Sequence, residues 1–388
     1  MRGSIRQRER VVNGKRAKDK NSWQIQIYTG TGPAGKRRRH YETIRGRKGD
    51  AQRRLRELLA SLDKGVYTPP GKLTVADLLG QFLRGYARTK CSQRTQDGYQ
   101  TIMERHLIPA LGHTLLGQLT PQAIQDYYGE ACQRLSARTV HKHHRLLKES
   151  LKYAVRQGYL GRNPCDLVDP PSWRPKTMRT LTPEESRDLL DIASGNQFYP
   201  VVYTAISSGL RQAELLGLRW RDIDLDLRSI SVCQVLYKHR GICEFKEPKT
   251  KHSKRRVSMT PKLVDYLREY KGDRESLSLH LGQLLKPDDL VFSNADGQPI
   301  DPSVLSHNFA RIAKRTGLKN MRFHDLRHTF ASLTLLKGAK PKVISEALGH
   351  SSVAFTMDTY SHIIEGMQSE AMELLDGVLP PGKNSRQN

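Results

Sequence analysis

The chain has 388 residues, 37% of them hydrophobic, and its 65 Lys+Arg against 39 Asp+Glu give a formal net charge of +26. At about 100–200 residues per domain, this length predicts two or three domains. A mean hydropathy of −0.62 and the lack of any run of about 18 apolar residues exclude a membrane-spanning helix. The arginine-rich start lacks the apolar stretch of a secretory signal, so the chain is expected in the cytoplasm and off the membrane. Its five cysteines form no C-x-x-C pair, which argues against a disulfide framework or a zinc site and predicts reduced packing residues. A cationic surplus of this size repels itself unless a polyanion offsets it, and nucleic-acid phosphates are the usual partner.

Residues 1–72 hold twenty Lys+Arg against six Asp+Glu, more than half of the surplus in under a fifth of the chain. Strand signals run over Ser4–Arg10, Trp23–Tyr28 and Arg38–Ile44, the last after the turn-forming Gly30-Thr31-Gly32-Pro33-Ala34-Gly35. A helix is predicted over Gly49–Leu62, with Leu55, Leu58, Leu59 and Leu62 on one face and arginines opposite. Thr68-Pro69-Pro70-Gly71 marks a linker. Helices are then predicted over Val75–Ala87, Gln93–His106, Pro121–Arg134 and Ala137–Gln157, the last stopped by Gly158. His141-Lys142-His143-His144-Arg145 lacks a carboxylate or cysteine at metal-ligand spacing and reads as a polar helix face pressed on phosphates.

Asp169-Pro170-Pro171-Ser172-Trp173-Arg174-Pro175 is a second, proline-rich linker. Beyond it the pattern is mixed: helices over Pro183–Ala193 and Tyr199–Ser208, strands over Ser229–Leu236, Cys243–Glu247 and Arg255–Met259, then helices to about Leu375. The expected fold class is thus multidomain α+β. It comprises a small module of three strands and a helix at 1–67, an all-α helical domain at 73–168, and a mixed, mainly α domain with a small antiparallel sheet at 176–380.

Three segments of the last domain carry candidate chemistry. Gly209 can end an apolar helix so that Arg211 begins the next, placing Arg211 and Glu214 as i, i+3 neighbours. A carboxylate that holds an arginine fixes its planar fork for a phosphate. His324-Asp325-Leu326-Arg327-His328 opens a helix whose expected buried stripe is Leu326, Phe330 and Leu333, with His324, Arg327 and His328 on the opposite side. Leu348-Gly349-His350 ends a short helix begun at Pro341, and Ser351 or Ser352 can cap a last short helix leading to Tyr360, read as a rim residue.

In order and spacing these segments resemble the tyrosine recombinase family of phage-type integrases. The family pattern is an Arg after a helix-ending Gly-Leu, a Lys in a β-hairpin, His-x-x-Arg, Leu-Gly-His, and a Tyr about ten residues later. Here these are Gly209-Leu210-Arg211, Lys249, His324 to Arg327, Leu348-Gly349-His350 and Tyr360. Lys249 matches Lys-Thr-x-x-Ser-x-Arg; its neighbours Lys246, Lys251 and Lys254 can grip phosphate without taking part in chemistry. The basic first module and the helical second one extend the resemblance over the whole chain, in a layout like that of phage lambda and conjugative-transposon integrases.

The resemblance implies a site-specific recombinase that cuts and rejoins DNA through a 3′-phosphotyrosyl intermediate on Tyr360, with no cofactor and no metal. It assigns Arg211 and Arg327 to the phosphate oxygens and Lys249 to the leaving 5′-oxygen as general acid. His324 is given general acid/base help with the nucleophile's proton, and His350 hydrogen bonding to phosphate or tyrosine. Expected DNA contacts are Arg37, Arg38, Arg39, Lys142, His144, Arg145, Lys251 and Lys254, on core-type and arm-type double-stranded sites. Implied partners are a homotetramer on DNA, with an excisionase and a host DNA-bending protein as further candidates. A tail helix over Gln368–Leu375 is expected either to dock onto a neighbour or to pack on its own domain. Competing readings are a Xer-like resolvase or transposon recombinase, a type IB topoisomerase, and a catalytically silent DNA-binding regulator.

Overall fold

A computed structural model of the chain describes residues 3–12, 15–31, 37–63, 72–174, 178–239, 241–248, 253–350 and 352–360. The chain divides into two compact units at residues 175 and 176. In the first unit, strands β1 (Gly3–Val12), β2 (Lys15–Thr31) and β3 (Arg37–Arg45) form an antiparallel sheet in that order. Strand periodicity sends Ile25 and Ile27 to one face, where Ala51 and Leu58 of helix α1 (Lys48–Asp63) bury them. The register aligns Arg6 with Gln24 and Gln24 with Thr43, and Tyr28 with Arg39. The face turned away from α1 therefore carries Arg6, Gln24, Gln26, Arg39, Tyr41 and Arg45.

Helix α2 (Val75–Phe82) starts at Thr74, whose hydroxyl accepts from the Asp77 N–H in a capping box. It continues through a wide π turn at Leu83–Ala87 into α3 (Arg88–Lys90). Helix α4 (Gln93–Ile102) likewise passes through a π turn at Met103–Leu107 into α5 (Ile108–Leu111). The helix predicted to stop at His106 thus runs past Pro109. A proline ring clashes with the carbonyl four residues back, and a widened turn just before it moves that carbonyl aside.

Helices α6 (Pro121–Cys132) and α7 (Ala137–Arg156) complete this bundle. The 3.6 period of α7 carries Val140, His143, His144, Leu147, Leu151 and Ala154 into the core. His144, expected on a DNA-facing surface, is therefore buried, and so is His143. Each imidazole meets a phenol at Nδ1, Tyr127 OH with His143 Nδ1 at 2.8 Å and Tyr128 OH with His144 Nδ1 at 2.9 Å. Lys142 and Arg145 remain exposed on the other side. The Arg138 guanidinium lies 4.9 Å from the Trp173 ring centroid, which ties the second linker back to α7.

In the second unit, α8 (Pro183–Ala193) and α9 (Tyr199–Ser208) lead to the single-turn α10 (Gln212–Leu215). Two short sheets follow. Strands β4 (Ile223–Asp224), β5 (Ser229–Ser231) and, from further along, β8 (Arg256–Ser258) form one, and the hairpin of β6 (Val235–His239) and β7 (Ile242–Lys246) forms the other. The single strand expected over 229–236 is thus two strands in different sheets. The chain changes sheet at Gln234, whose side-chain amide donates to Gly217 O at 2.9 Å. Helices α11 (Pro261–His280), α12 (Pro302–Arg315), α13 (Asp325–Leu336) and α14 (Pro341–Leu348) enclose a core that includes Ile230, Val257, Leu263, Phe309 and Leu326. A last helical stretch covers residues 353–360, and the expected tail helix over 368–375 lies outside the described residues.

No helix of the described residues is long and apolar enough to cross a membrane. All five cysteines are free thiols. The expectation that they are packing residues holds for Cys165, but Cys132 and Cys233 are exposed.

Candidate active site

Helix α9 terminates at Gly209, whose φ of 66° is left-handed. A Cβ there would lie 2.4 Å from Phe330 Cδ1 and 2.9 Å from Leu348 Cδ2. Only glycine fits both the conformation and the space, and this stop sets Arg211 as the cap of α10 rather than its first residue. The Glu214 carboxylate accepts from the Arg211 backbone N–H at 2.8 Å and from Arg211 Nη1 at 2.7 Å. A second guanidinium grips the same carboxylate, with Arg255 Nη1 and Nη2 at 3.0 and 2.9 Å. Glu214 is 3% exposed. Burial pushes its pKa up, but the hydrogen bonds and charge of Arg255, then Arg211, win and hold it below the ordinary carboxylate value.

The Arg327 guanidinium is 3% exposed. This corrects the expected amphipathic split of α13, because Arg327 and His328 are buried while Phe330 and Leu333 are only half-buried. Arg327 can be buried because main-chain oxygens receive its donors: Nη1 to Gly209 O at 2.8 Å and Nη2 to Leu348 O at 2.5 Å. Neighbouring carbonyls hold the other two arginines. Arg255 Nε donates to Ala347 O at 2.6 Å, and Arg211 Nη2 to Gly349 O at 3.3 Å.

Three consecutive carbonyls thus anchor three guanidinium groups. They are the final carbonyls of α14, which have no partner within the helix and carry the negative end of its dipole. Gly349, at φ 62°, turns the chain at this point.

Tyr360 is 1% exposed, so the rim position expected for it is corrected. Its hydroxyl and His328 Nδ1 are 2.8 Å apart. Burial pushes the phenol up to about 12, with Arg327 opposing, and burial followed by His324 pulls His328 down to about 4. His350 Nδ1 bonds to Thr356 Oγ1 at 2.8 Å. Burial, then Arg327 and Arg211, lowers His350 to about 4. His324 caps α13 at the solvent-facing edge. Desolvation, then Arg327, lowers its pKa as well.

The structure therefore brings Arg211, Arg327, His324, His350 and Tyr360 together. Arg255 and His328 are neighbours to which the sequence alone gave no role. The signals were present, since Arg255 closes the Lys-Thr-x-x-Ser-x-Arg pattern and His328 follows His324 by one helical turn. Lys249 and Lys251 lie outside the described residues, as do the side chains of Arg37 and Arg38. Lys254 is exposed and paired with Glu247 at 2.8 Å.

Among the described residues the cluster is electrostatically unbalanced, because Arg211, Arg255 and Arg327 share the one carboxylate of Glu214. Asp325, the other nearby acid, is bound by the exposed Arg322 at 2.7 Å. Burial, then Arg211, brings Arg327 down to about 9, so it keeps its proton at neutral pH. A buried cation surplus is a site for an anion with several oxygens. No group of His, Cys, Asp or Glu that could hold a metal ion occurs among the described residues.

Fold and site define a recombinase of the tyrosine class. Residues 179–366 match the phage integrase family, and residues 74–131 match the phage integrase N-terminal SAM-like domain. The ICEBs1 integrase of Bacillus subtilis strain 168 is 31% identical over 281 residues, covering 72% of this chain and 76% of that protein. The chain belongs to the phage integrase family and is a tyrosine site-specific recombinase. A tyrosine recombinase XerC-like protein of Caldanaerobacter subterraneus subsp. tengcongensis is 28% identical over 354 residues, 85% of this chain and 90% of its own. The fold matches that of a Tn1549 transposon integrase solved with transposon right end DNA. The TM-score is 0.67 at 23% identity, over 78% of this chain and 99% of that one.

Proposed function

We propose that this recombinase integrates and excises a phage or mobile element by cutting duplex DNA with Tyr360. The observation that carries this reading is the surplus of guanidinium charge around Glu214, beside a buried phenol. A scissile phosphate supplies the missing anion. The Tyr360 oxygen bonds to phosphorus, and Arg211 and Arg327 neutralise the non-bridging oxygens as the phosphorus becomes five-coordinate. The 5′-oxygen leaves with a proton assigned to Lys249, and the bond energy is kept in a 3′-phosphotyrosyl ester. Attack by a different 5′-hydroxyl reverses the step and joins a new strand. His324 is assigned general acid/base help with the nucleophile's proton, and His350 hydrogen bonding to the phosphate or the tyrosine.

Residues 1–67 take the arm-type DNA site, through the sheet face carrying Arg6, Arg39 and Arg45. Residues 73–168 take the core-type site, with Lys142 and Arg145 on phosphates, and 176–380 form the catalytic domain. Recombining two duplexes needs two cuts in each, which calls for four protomers on the DNA. An excisionase and a host DNA-bending protein are the expected controls on direction.

Tyr360→Phe tests the central step. This variant should bind a core-site duplex with unchanged affinity and yield no denaturation-resistant protein–DNA band. A persistent band refutes the assignment of the nucleophile.

A further inference from the structure

Proton balance leaves one gap in this scheme, since the phenol must lose its proton as its oxygen bonds to phosphorus. Among the described residues the Tyr360 hydroxyl bonds to one side chain, the His328 imidazole, with 2.8 Å between oxygen and Nδ1. Both groups are buried, His328 at 7% and Tyr360 at 1% exposure, so water does not compete freely for this hydrogen bond. The other two imidazoles of the site are placed differently. His350 Nδ1 is engaged by Thr356 at 2.8 Å, and His324 stands at the open edge with its ring packed edge-on to His328, 5.2 Å between centroids.

We propose that His328 is the base that accepts the Tyr360 proton during strand cleavage, a role the family resemblance gives to His324. The proposal rests on reading Tyr360 as the nucleophile. As the phenol oxygen forms its bond to phosphorus, its proton passes to His328 Nδ1. The bond from phosphorus to the 5′-oxygen breaks, and that oxygen takes its proton elsewhere, from the group assigned as general acid. In rejoining, an incoming 5′-hydroxyl gives its proton back to the group that acted as general acid as its oxygen attacks the phosphotyrosine, and His328 Nδ1–H returns its proton to the departing phenol oxygen. Charge and protons balance over the cycle without a co-reactant.

The groups facing His328 set its resting state. His324, Arg327, Arg322 and Asp325 lie on its own helix or just before it, and Tyr360 and His350 face it from the chain beyond α14. Burial and the cations keep the imidazole unprotonated, while burial keeps the phenol protonated. This is the pairing a base and its substrate need before reaction. The transfer then accompanies bond formation, since the phenol proton becomes acidic only as the oxygen gives its electrons to phosphorus.

The discriminating variant is His328→Asn. Its side-chain amide can occupy the place of Nδ1 and accept the phenol hydrogen bond, but it cannot take the proton. With a duplex carrying the core site, H328N should bind DNA as the unsubstituted protein does. It should form the covalent adduct about 100- to 10,000-fold more slowly, the usual range for a lost general base. Placing 3,5-difluorotyrosine at position 360, a more acidic phenol, should restore at least tenfold of that loss in H328N and change the rate much less when His328 is present.

Adduct formation by H328N at the unsubstituted rate overturns the proposal, and so does a slow rate that fluorination leaves untouched, which makes His328 a positioning residue. A measurement on the unsubstituted protein removes dependence on the variant's folding. Imidazole ¹⁵N NMR should show His328 Nδ1 without a hydrogen and accepting a hydrogen bond, and a protonated Nδ1 overturns the proposal. Failure of the nucleophile assignment is separate, because it appears as an adduct from Tyr360→Phe.

Discussion

Replacing Glu214 by Gln changes no shape and removes one charge, that of the carboxylate bridging Arg211 and Arg255. Glu214 is 3% exposed and the Arg255 side chain 7%, against 36% for Arg211, so the variant leaves the buried Arg255 guanidinium without its carboxylate partner. Removing one partner of a buried pair costs about 3–5 kcal/mol. Glutamine keeps one acceptor oxygen, which places E214Q at the lower end. At roughly 2–4 °C per kcal/mol for a unit of this size, Tm should fall by about 6–12 °C.

The pH dependence follows from the depressed carboxyl. The folded pKa lies below the ordinary value of 4.5, so the unfolded chain binds the proton first as the solution is acidified. The stabilisation is complete above about pH 4.5 and fades as pH falls through the folded value, and E214Q should lose this dependence. Calorimetry with and without sulfate provides the assay, since an anion seated among the arginines should recover more stability in E214Q than in the unsubstituted protein. A Tm within about 2 °C of that protein, or equal sulfate stabilisation of both, refutes the reasoning.

Deleting residues 1–72 removes a net charge of +14, the difference of twenty and six, and leaves the Tyr360 cluster intact. Cleavage of a short core-site duplex should survive. The slope of log affinity against log salt should become shallower by about 0.9 for each phosphate that the module neutralises, and an unchanged slope means the module does not touch DNA. Lys249→Ala should slow cleavage of ordinary DNA by about 10²–10⁴-fold but run near the unsubstituted rate when sulfur replaces the bridging 5′-oxygen, because a thiolate leaves without a proton. Arg211→Ala should stay slow on both substrates, and failure of the sulfur to rescue Lys249→Ala refutes the general-acid role.

The segments bearing the site were legible because each has a local signature. Gly209 and Gly349 end helices, Arg211 and Glu214 are three residues apart, and His324 and Arg327 share the opening of one helix. Convergence was not legible. Arg255, Arg327 and Arg211 meet on the carbonyls of Ala347, Leu348 and Gly349, and a carbonyl is present at every residue, so no side-chain type marks those positions. Burial was hidden for a related reason. Periodicity counts Arg327, His144 and Tyr360 as surface residues by polarity, whereas main-chain oxygens, Tyr128 and His328 satisfy their polar atoms in the interior. The split of the strand after Ser231 was hidden as well, since Val232 to Leu236 keeps a strand-like composition while a side-chain bond from Gln234 redirects the chain.

Anchoring three arginines on main-chain oxygens has a consequence for mutational tolerance. The atoms that hold Arg255, Arg327 and Arg211 belong to no particular side chain, so a substitution at Ala347 leaves its anchor in place provided the helix still forms. The constraint falls instead on geometry, at Pro341 where the helix begins and at Gly349 where it turns. A library randomised across this helix would therefore retain catalysis under wide variation of its outward-facing letters and fail at its punctuation.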